Sequence, residues 1–204
     1  MNECCEIRAE VPEGQRRVLL IVLWINVAMF VAEFGLGLLA HSTALLADSV
    51  DMLGDAIVYG FSLYAVARGA HWQARAAVLK GSIMATFGIG VLVEVAMKVA
   101  RGEVPSAELM SGVALIALAA NVFCLILLSR HRADDINMRS AWLCSRNDVV
   151  ANVGVLVAAG GVAVTGSPWP DITIGLLIAA LFGGSAVKVL RGATRELRAV
   201  KSAG

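Results

Sequence analysis

Apolar residues run along this chain in long blocks separated by short polar breaks. The first block, Val18 to Ala40, is interrupted only by Asn26, Glu33 and the Gly35/Gly37 pair. His41-Ser42-Thr43 is a very short turn before a second block, Ala44 to Ala67. A basic stretch from Arg68 to Arg75, with His71 inside it, precedes a third block from about Ala77 to Val99. Gly102 to Ser106 turns the chain at Pro105, and a fourth block covers Ala107 to Leu128. The charged stretch Ser129 to Ser140 leads to the fifth, Ala141 to Val164, and Thr165-Gly-Ser-Pro-Trp-Pro170 leads to the sixth, about Asp171 to Leu190. Roughly 20 residues at ~1.5 Å rise cross ~30 Å of hydrocarbon, so each block is long enough to span a bilayer. The pattern predicts an all-α integral membrane protein: a bundle of six transmembrane helices over residues 17–191, between short tails at 1–16 and 192–204.

Composition agrees. At 58% hydrophobic residues and a mean hydropathy of +0.77, there is more apolar surface than a soluble core can cover. Charge placement says more than the net charge of +1, which gives no case for a nucleic-acid partner. Arg8, Arg16 and Arg17 precede the first block; Arg68, Arg75 and Lys80 flank the second loop; Arg130, Arg132, Arg139 and Arg146 flank the fourth. Lys188, Arg191, Arg195, Arg198 and Lys201 close the chain, whereas the opposite side has only Lys98 and Arg101. The positive-inside rule then puts both termini in the cytoplasm, with a bacterial inner membrane as the expected location. Met1 to Gln15 is acidic and polar and lacks the features of a secretory signal, so no cleavage is expected. Cys4, Cys5, Cys124 and Cys144 show no disulfide framework and read as reduced thiols. Nothing resembles a nucleotide-binding loop, so energy should come from an ion gradient and not from ATP. Neither a His-Glu-x-x-His helix nor a Gly-x-Gly-Asp pair is present, and no enzyme is expected.

The second block breaks its own apolar rule. Asp48, Asp51 and Asp55 stand at spacings of three and four, which places them on nearly one face of a helix. A carboxylate near the bilayer centre costs about 2.5–3.5 kcal/mol on insertion scales, so a stripe of three must face something polar, and a buried cation is the simplest candidate. The fifth block repeats the device: Cys144 and Asp148 are four apart, with Asn152 one turn further on as a helper. Two helices, each offering two anionic ligands, can close a four-coordinate site. Carboxylate and thiolate together suit zinc or cadmium better than magnesium or calcium. Several ionised groups in one dehydrated site repel each other, so some hold protons until a divalent cation displaces them. That exchange is the basis for metal–proton antiport.

Ala44-Leu-Leu-Ala-Asp-Ser-Val-Asp-Met-Leu-Gly-Asp55 resembles the second-helix signature of the cation diffusion facilitators, and Asp148 to Val155 resembles that of the fifth helix. Glu33-Phe-x-x-Gly37 and Pro170-Asp171 agree as well. The resemblance implies a six-helix bundle, usually a homodimer, that exports divalent metal in exchange for protons. By position it assigns Asp51, Asp55, Cys144 and Asp148 to the transport site. The cargo it implies is Zn2+, with Cd2+ or Co2+ as alternatives, and no tightly bound cofactor. Cys144 stands where the family usually has His, which favours softer ions such as cadmium. The resemblance is to a short branch without the soluble C-terminal domain, and the usual Thr-Phe-Gly-Tyr-x-Arg-type loop and His-rich tract do not occur.

Plainer readings stand beside these. The aspartates could form a polar network with Asn26, Asn121 or serines, and Asp48 could orient a ligand, relay protons or simply pack. Cys144 could be a small interfacial hydrophobe, and Cys124 reads as packing. Cys4 and Cys5 could capture metal at the cytoplasmic mouth or form an idle tail. His71 and His131 read as solvated loop residues and His41 as a turn residue. Glu33 and Glu94 should bond neighbouring helices, and Gly88/Gly90 and Gly183/Gly184 should permit close helix contact. A membrane scaffold or sensor that holds the ion without moving it is the alternative function.

Overall fold

The computed structural model describes residues 13–64, 70–133 and 136–202. They form α1 (Glu13–Ala40), α2 (Thr43–Tyr64), α3 (Ala70–Arg101), α4 (Ala107–Ser129), α5 (Ile136–Thr165) and α6 (Trp169–Ser202), with no strand among the described residues. Every apolar block has become a helix, and the protein is an all-α membrane bundle. By length and composition α1, α3, α4 and α5 contain stretches able to cross a bilayer, and at most 33% of each stretch is buried. The rest presents Trp24, Val31, Ile116, Val157 and other large side chains outward, as lipid contact requires. α2 falls outside that group because three aspartates interrupt it.

The helices overrun the apolar blocks. Ala70 already begins α3, so His71 and Arg75 lie in a helix and not in a loop. Ile136 begins α5, and residues 192–202 continue α6 where a tail was expected. Loss of apolar character does not end a helix when Ala, Arg, Gln, Glu and Lys, all good helix formers, carry it on.

α1 packs along α2, α4 along α5 and α3 along α6, and α2 also touches α3, α5 and α6. α2 is therefore the central helix. Short connections put the α1–α2, α3–α4 and α5–α6 turns at one end, the loop end, and the chain termini at the other. Ala40, Leu45, Leu46, Met110 and Val162 pack in the core toward the loop end. Leu19, Val22, Tyr59, Leu128 and Met138 pack toward the terminal end. Only Met29, Met52 and Ala117 form the small cluster between them, and the polar residues occupy this level.

Close approach happens at glycines other than those expected. A Cβ on Gly88, Gly90, Gly183 or Gly184 would meet nothing within 4 Å among the described residues. A Cβ on Gly175 would fall 2.8 Å from Thr43 Cγ2 and 2.9 Å from the Thr43 carbonyl carbon, and one on Gly161 would lie 2.8 Å from Pro170 Cβ. These two positions let α6 lie against the start of α2 and against α5.

Candidate metal centre

One contact fixes the register of α2 against α5. Tyr59 Oη lies 3.0 Å from Asp55 Oδ2 and 3.3 Å from the carbonyl oxygen of Ala141. The two helices run in opposite directions, each rising ~1.5 Å per residue. Seven residues back along α2 from Tyr59 is Met52, and seven forward along α5 from Ala141 is Asp148. Asp51 and Asp55 flank that level on α2, Cys144 lies one turn toward the terminal end, and Asn152 one turn toward the loop end, level with Asp48. Asp148 accordingly lies within electrostatic range of Asp55, Asp51, Asp48 and Glu33. Tyr59 is in range of Asp55, Cys144 and Asp148.

Burial is nearly complete. Glu33, Asp48, Asp55 and Asp148 each expose 5% or less, Cys144 is also buried, and Asp51 is half-buried. Neither Cys124 nor Cys144 is in a disulfide. Among the described residues no three His, Cys, Asp or Glu side chains form a ready-made coordination shell. The helices bring Asp51 and Asp55 within electrostatic range of Asp148, with Cys144 in range of Tyr59 beside them. Cys4 and Cys5 lie outside the described residues.

Of the polar network that is the plainer reading of Asp51, Asp55 and Asp148, neither Asn26 nor Asn121 supplies a hydrogen bond to these acids among the described residues. Asn26 Nδ2 donates to the Val22 carbonyl at 2.9 Å, and neither end of the Asn121 amide has a partner. Among the described residues, both oxygens of Asp48, both oxygens of Glu33 and Oδ2 of Asp148 lack hydrogen-bond partners. Glu33 therefore does not bond a neighbouring helix as expected; its carboxyl opens into the same buried band. Asn152 donates Nδ2 to the Asp148 carbonyl at 2.8 Å, which leaves its buried Oδ1 as an unused acceptor. Tyr59 was not singled out from sequence, although its place four residues beyond Asp55 continues the acidic stripe. Cys124 packs in the terminal-end core as expected. His41 sits in the α1–α2 turn with Nδ1 3.5 Å from Glu103 Oε2.

A second polar assembly, not anticipated from sequence, occupies the loop end. Asp171, at the start of α6, accepts from Ser42 Oγ at 2.7 Å, Thr43 N at 2.8 Å and Ala44 N at 3.1 Å. Lys98 Nζ donates to the same carboxylate and to the His41 carbonyl, and the Lys98 and Asp171 side chains are completely buried.

Comparison with known proteins agrees with this architecture. The profile of the cation efflux transmembrane domain matches residues 19–198. The chain belongs to the cation efflux family. This is a family of cation transporters rather than enzymes. The metal cation efflux system protein CzcD of Cupriavidus metallidurans is 26% identical over 179 residues, covering 82% of this chain and 57% of that protein. The zinc transporter ZitB of Yersinia pestis is 28% identical over 198 residues, covering 91% of this chain and 64% of that protein. A Bacillus velezensis protein named as a cadmium, cobalt and zinc/H(+)-K(+) antiporter is 24% identical over 182 residues, covering 82% of this chain and 58% of its own length. The chain thus spans about three fifths of the length of these cation efflux relatives.

Proposed function

We propose that this chain exports a divalent transition-metal cation, zinc foremost and cadmium or cobalt as alternatives, from the cytoplasm across a bacterial inner membrane in exchange for protons. The observation that carries the reading is the meeting of Asp51 and Asp55 on α2 with Asp148 on α5 at one buried level of a membrane bundle. Both termini are cytoplasmic in this reading, and the working unit is a homodimer. Relatives named for zinc, cadmium and cobalt support the choice of cargo.

The roles follow from chemistry. Asp51, Asp55 and Asp148 supply carboxylate oxygens and Cys144 a thiolate, a set that suits a tetrahedral, borderline-soft ion. Tyr59 steers Asp55 through its hydroxyl, and Asn152, anchored on the Asp148 backbone, holds Oδ1 toward the band. An unpaired carboxylate ion in a dry interior is costly by several kcal/mol, so each acid there is relieved by a proton or by the metal. Metal entry therefore expels protons, and proton return expels metal. Asp48 and Glu33, with no hydrogen-bond partner among the described residues, serve this exchange as proton holders beside the ligands.

Everted vesicles loaded with this protein test the reading. An acid interior should drive zinc uptake, and collapsing the pH difference should abolish it. Uptake that ignores an imposed gradient would overturn the coupling, and binding without uptake would favour the scaffold.

A further inference from the structure

The loop-end assembly is more than a helix cap. The first backbone N–H groups of any helix lack partners within it and are usually met by a neighbouring side chain in the sequence. Ser42 does this locally, accepting from Leu45 N at 3.1 Å. Thr43 N and Ala44 N are instead met by Asp171, 128 and 127 residues away on α6. Gly175, one turn beyond Asp171, has no Cβ to hold α6 off the Thr43 backbone. Lys98, in the last turn of α3, completes the carboxylate's set of donors and binds the His41 carbonyl. That carbonyl belongs to a residue held at φ 51, a left-handed conformation uncommon outside glycine. A single carboxylate thus joins the α1–α2 turn, the start of α2, the end of α3 and the start of α6.

We propose that Asp171 and Lys98 are positioning residues for transport, forming a latch that keeps the loop end of the bundle shut and must part for the ion to leave there. The proposal rests on the export reading above. α2 carries Asp51 and Asp55 eight and twelve residues from Thr43, so the latch stands about 12 Å outboard of the first ligand. Apolar residues could seal that end without desolvating two charges. An ion pair differs in its response to water: parting it is costly while dry and nearly free once both charges are hydrated. Such a contact has two states, closed and dry or open and wet, as a gate requires. The rim of the latch is polar and exposed, with Arg101 3.7 Å and His41 3.5 Å from the Glu103 carboxylate.

The double variant Lys98→Met/Asp171→Asn removes both charges and keeps part of the cap. The asparagine's one oxygen can stand in for Oδ1, which accepts from Ser42 Oγ and Ala44 N, whereas its Nδ2 cannot accept from Thr43 N as Oδ2 does. The reporter is Ala47→Cys, buried in α2 one turn past the latch, probed by a membrane-impermeant maleimide added on the loop-end side. Labelling of the same protein without the reporter is subtracted. The neutral latch should raise the labelling rate about tenfold, a population shift toward the open state, and should raise the KM for zinc while the purified protein stays monodisperse. Gly175→Ala, which pushes α6 off α2, should act in the same direction, and Lys98→Arg should label like the parent. Labelling within about twofold of the parent in both the neutral double variant and Gly175→Ala overturns the latch, and so does Lys98→Arg labelling like the neutral pair. If the double variant does not fold, Gly175→Ala decides. A parent that labels as predicted but moves no metal overturns the export reading instead.

Discussion

Two regions of one bundle hold buried carboxylates that could hardly differ more in company. Asp171 receives two backbone amides, a serine hydroxyl and a lysine ammonium. Among the described residues, Asp48 and Glu33, equally buried, receive nothing, and Asp148 leaves one oxygen unmet. The chemical group and the burial are the same, so the difference lies in who supplies the positive charge. At the loop end the protein supplies it permanently, from a helix N-terminus and Lys98. Around Asp48 and Glu33 it supplies none among the described residues, and in the proposed reading a mobile ion or proton does. In the proposed reading Asp171, with four donors, belongs to the scaffold, and Asp48 and Glu33 belong to the exchange site.

The largest expected effect comes from removing the well-partnered acid. Asp171→Ala strands the Lys98 ammonium in a dry pocket and should cost about 3–5 kcal/mol, seen as a large fall in the thermal midpoint of the detergent-solubilised protein. Glu33→Gln combined with Asp48→Asn should do the reverse. If both acids already carry protons when no metal is bound, isosteric amides change stability by less than about 1 kcal/mol, while proton-driven zinc uptake falls sharply. A large stabilisation on making these amides would mean the acids are ionised at rest, and the contrast between the two regions would break. Cys144→His is the mildest change. It should leave zinc transport near the parent level and lower the preference for cadmium over zinc, read by competitive uptake. Unchanged selectivity would remove Cys144 from the ligand set.

Much of this was legible in the chain. Six apolar blocks gave six helices because bilayer thickness leaves few other ways to satisfy a backbone in lipid. The acidic stripe and the Cys144/Asp148 pair could be placed because helical periodicity decides which side chains share a face. The gaps lie where the answer depends on another helix. Lys98 read as one of two stray charges on the sparsely charged side, and nothing local shows that Asp171 would reach it. Glu33 was expected to bond a neighbour, but whether a buried acid finds a donor is decided across the bundle. Gly175 carries the close contact that Gly88 and Gly90 were expected to make, since a glycine's use depends on what faces it. His71 and Arg75 were assigned to a loop because apolar character ended, though helix propensity did not.

The central claim is that α2 and α5 hold one ion between them. A double-mutant cycle of zinc affinity tests it most directly, using Asp51→Asn, Asp148→Asn and the double variant in a background with Cys4 and Cys5 replaced by serine, by titration calorimetry on purified protein. Each single change should weaken zinc binding by at least about tenfold, and the double variant should bind little worse than either single one, since ligands of one ion couple strongly. Losses that simply add, or affinity untouched by Asp148→Asn, would contradict a shared site.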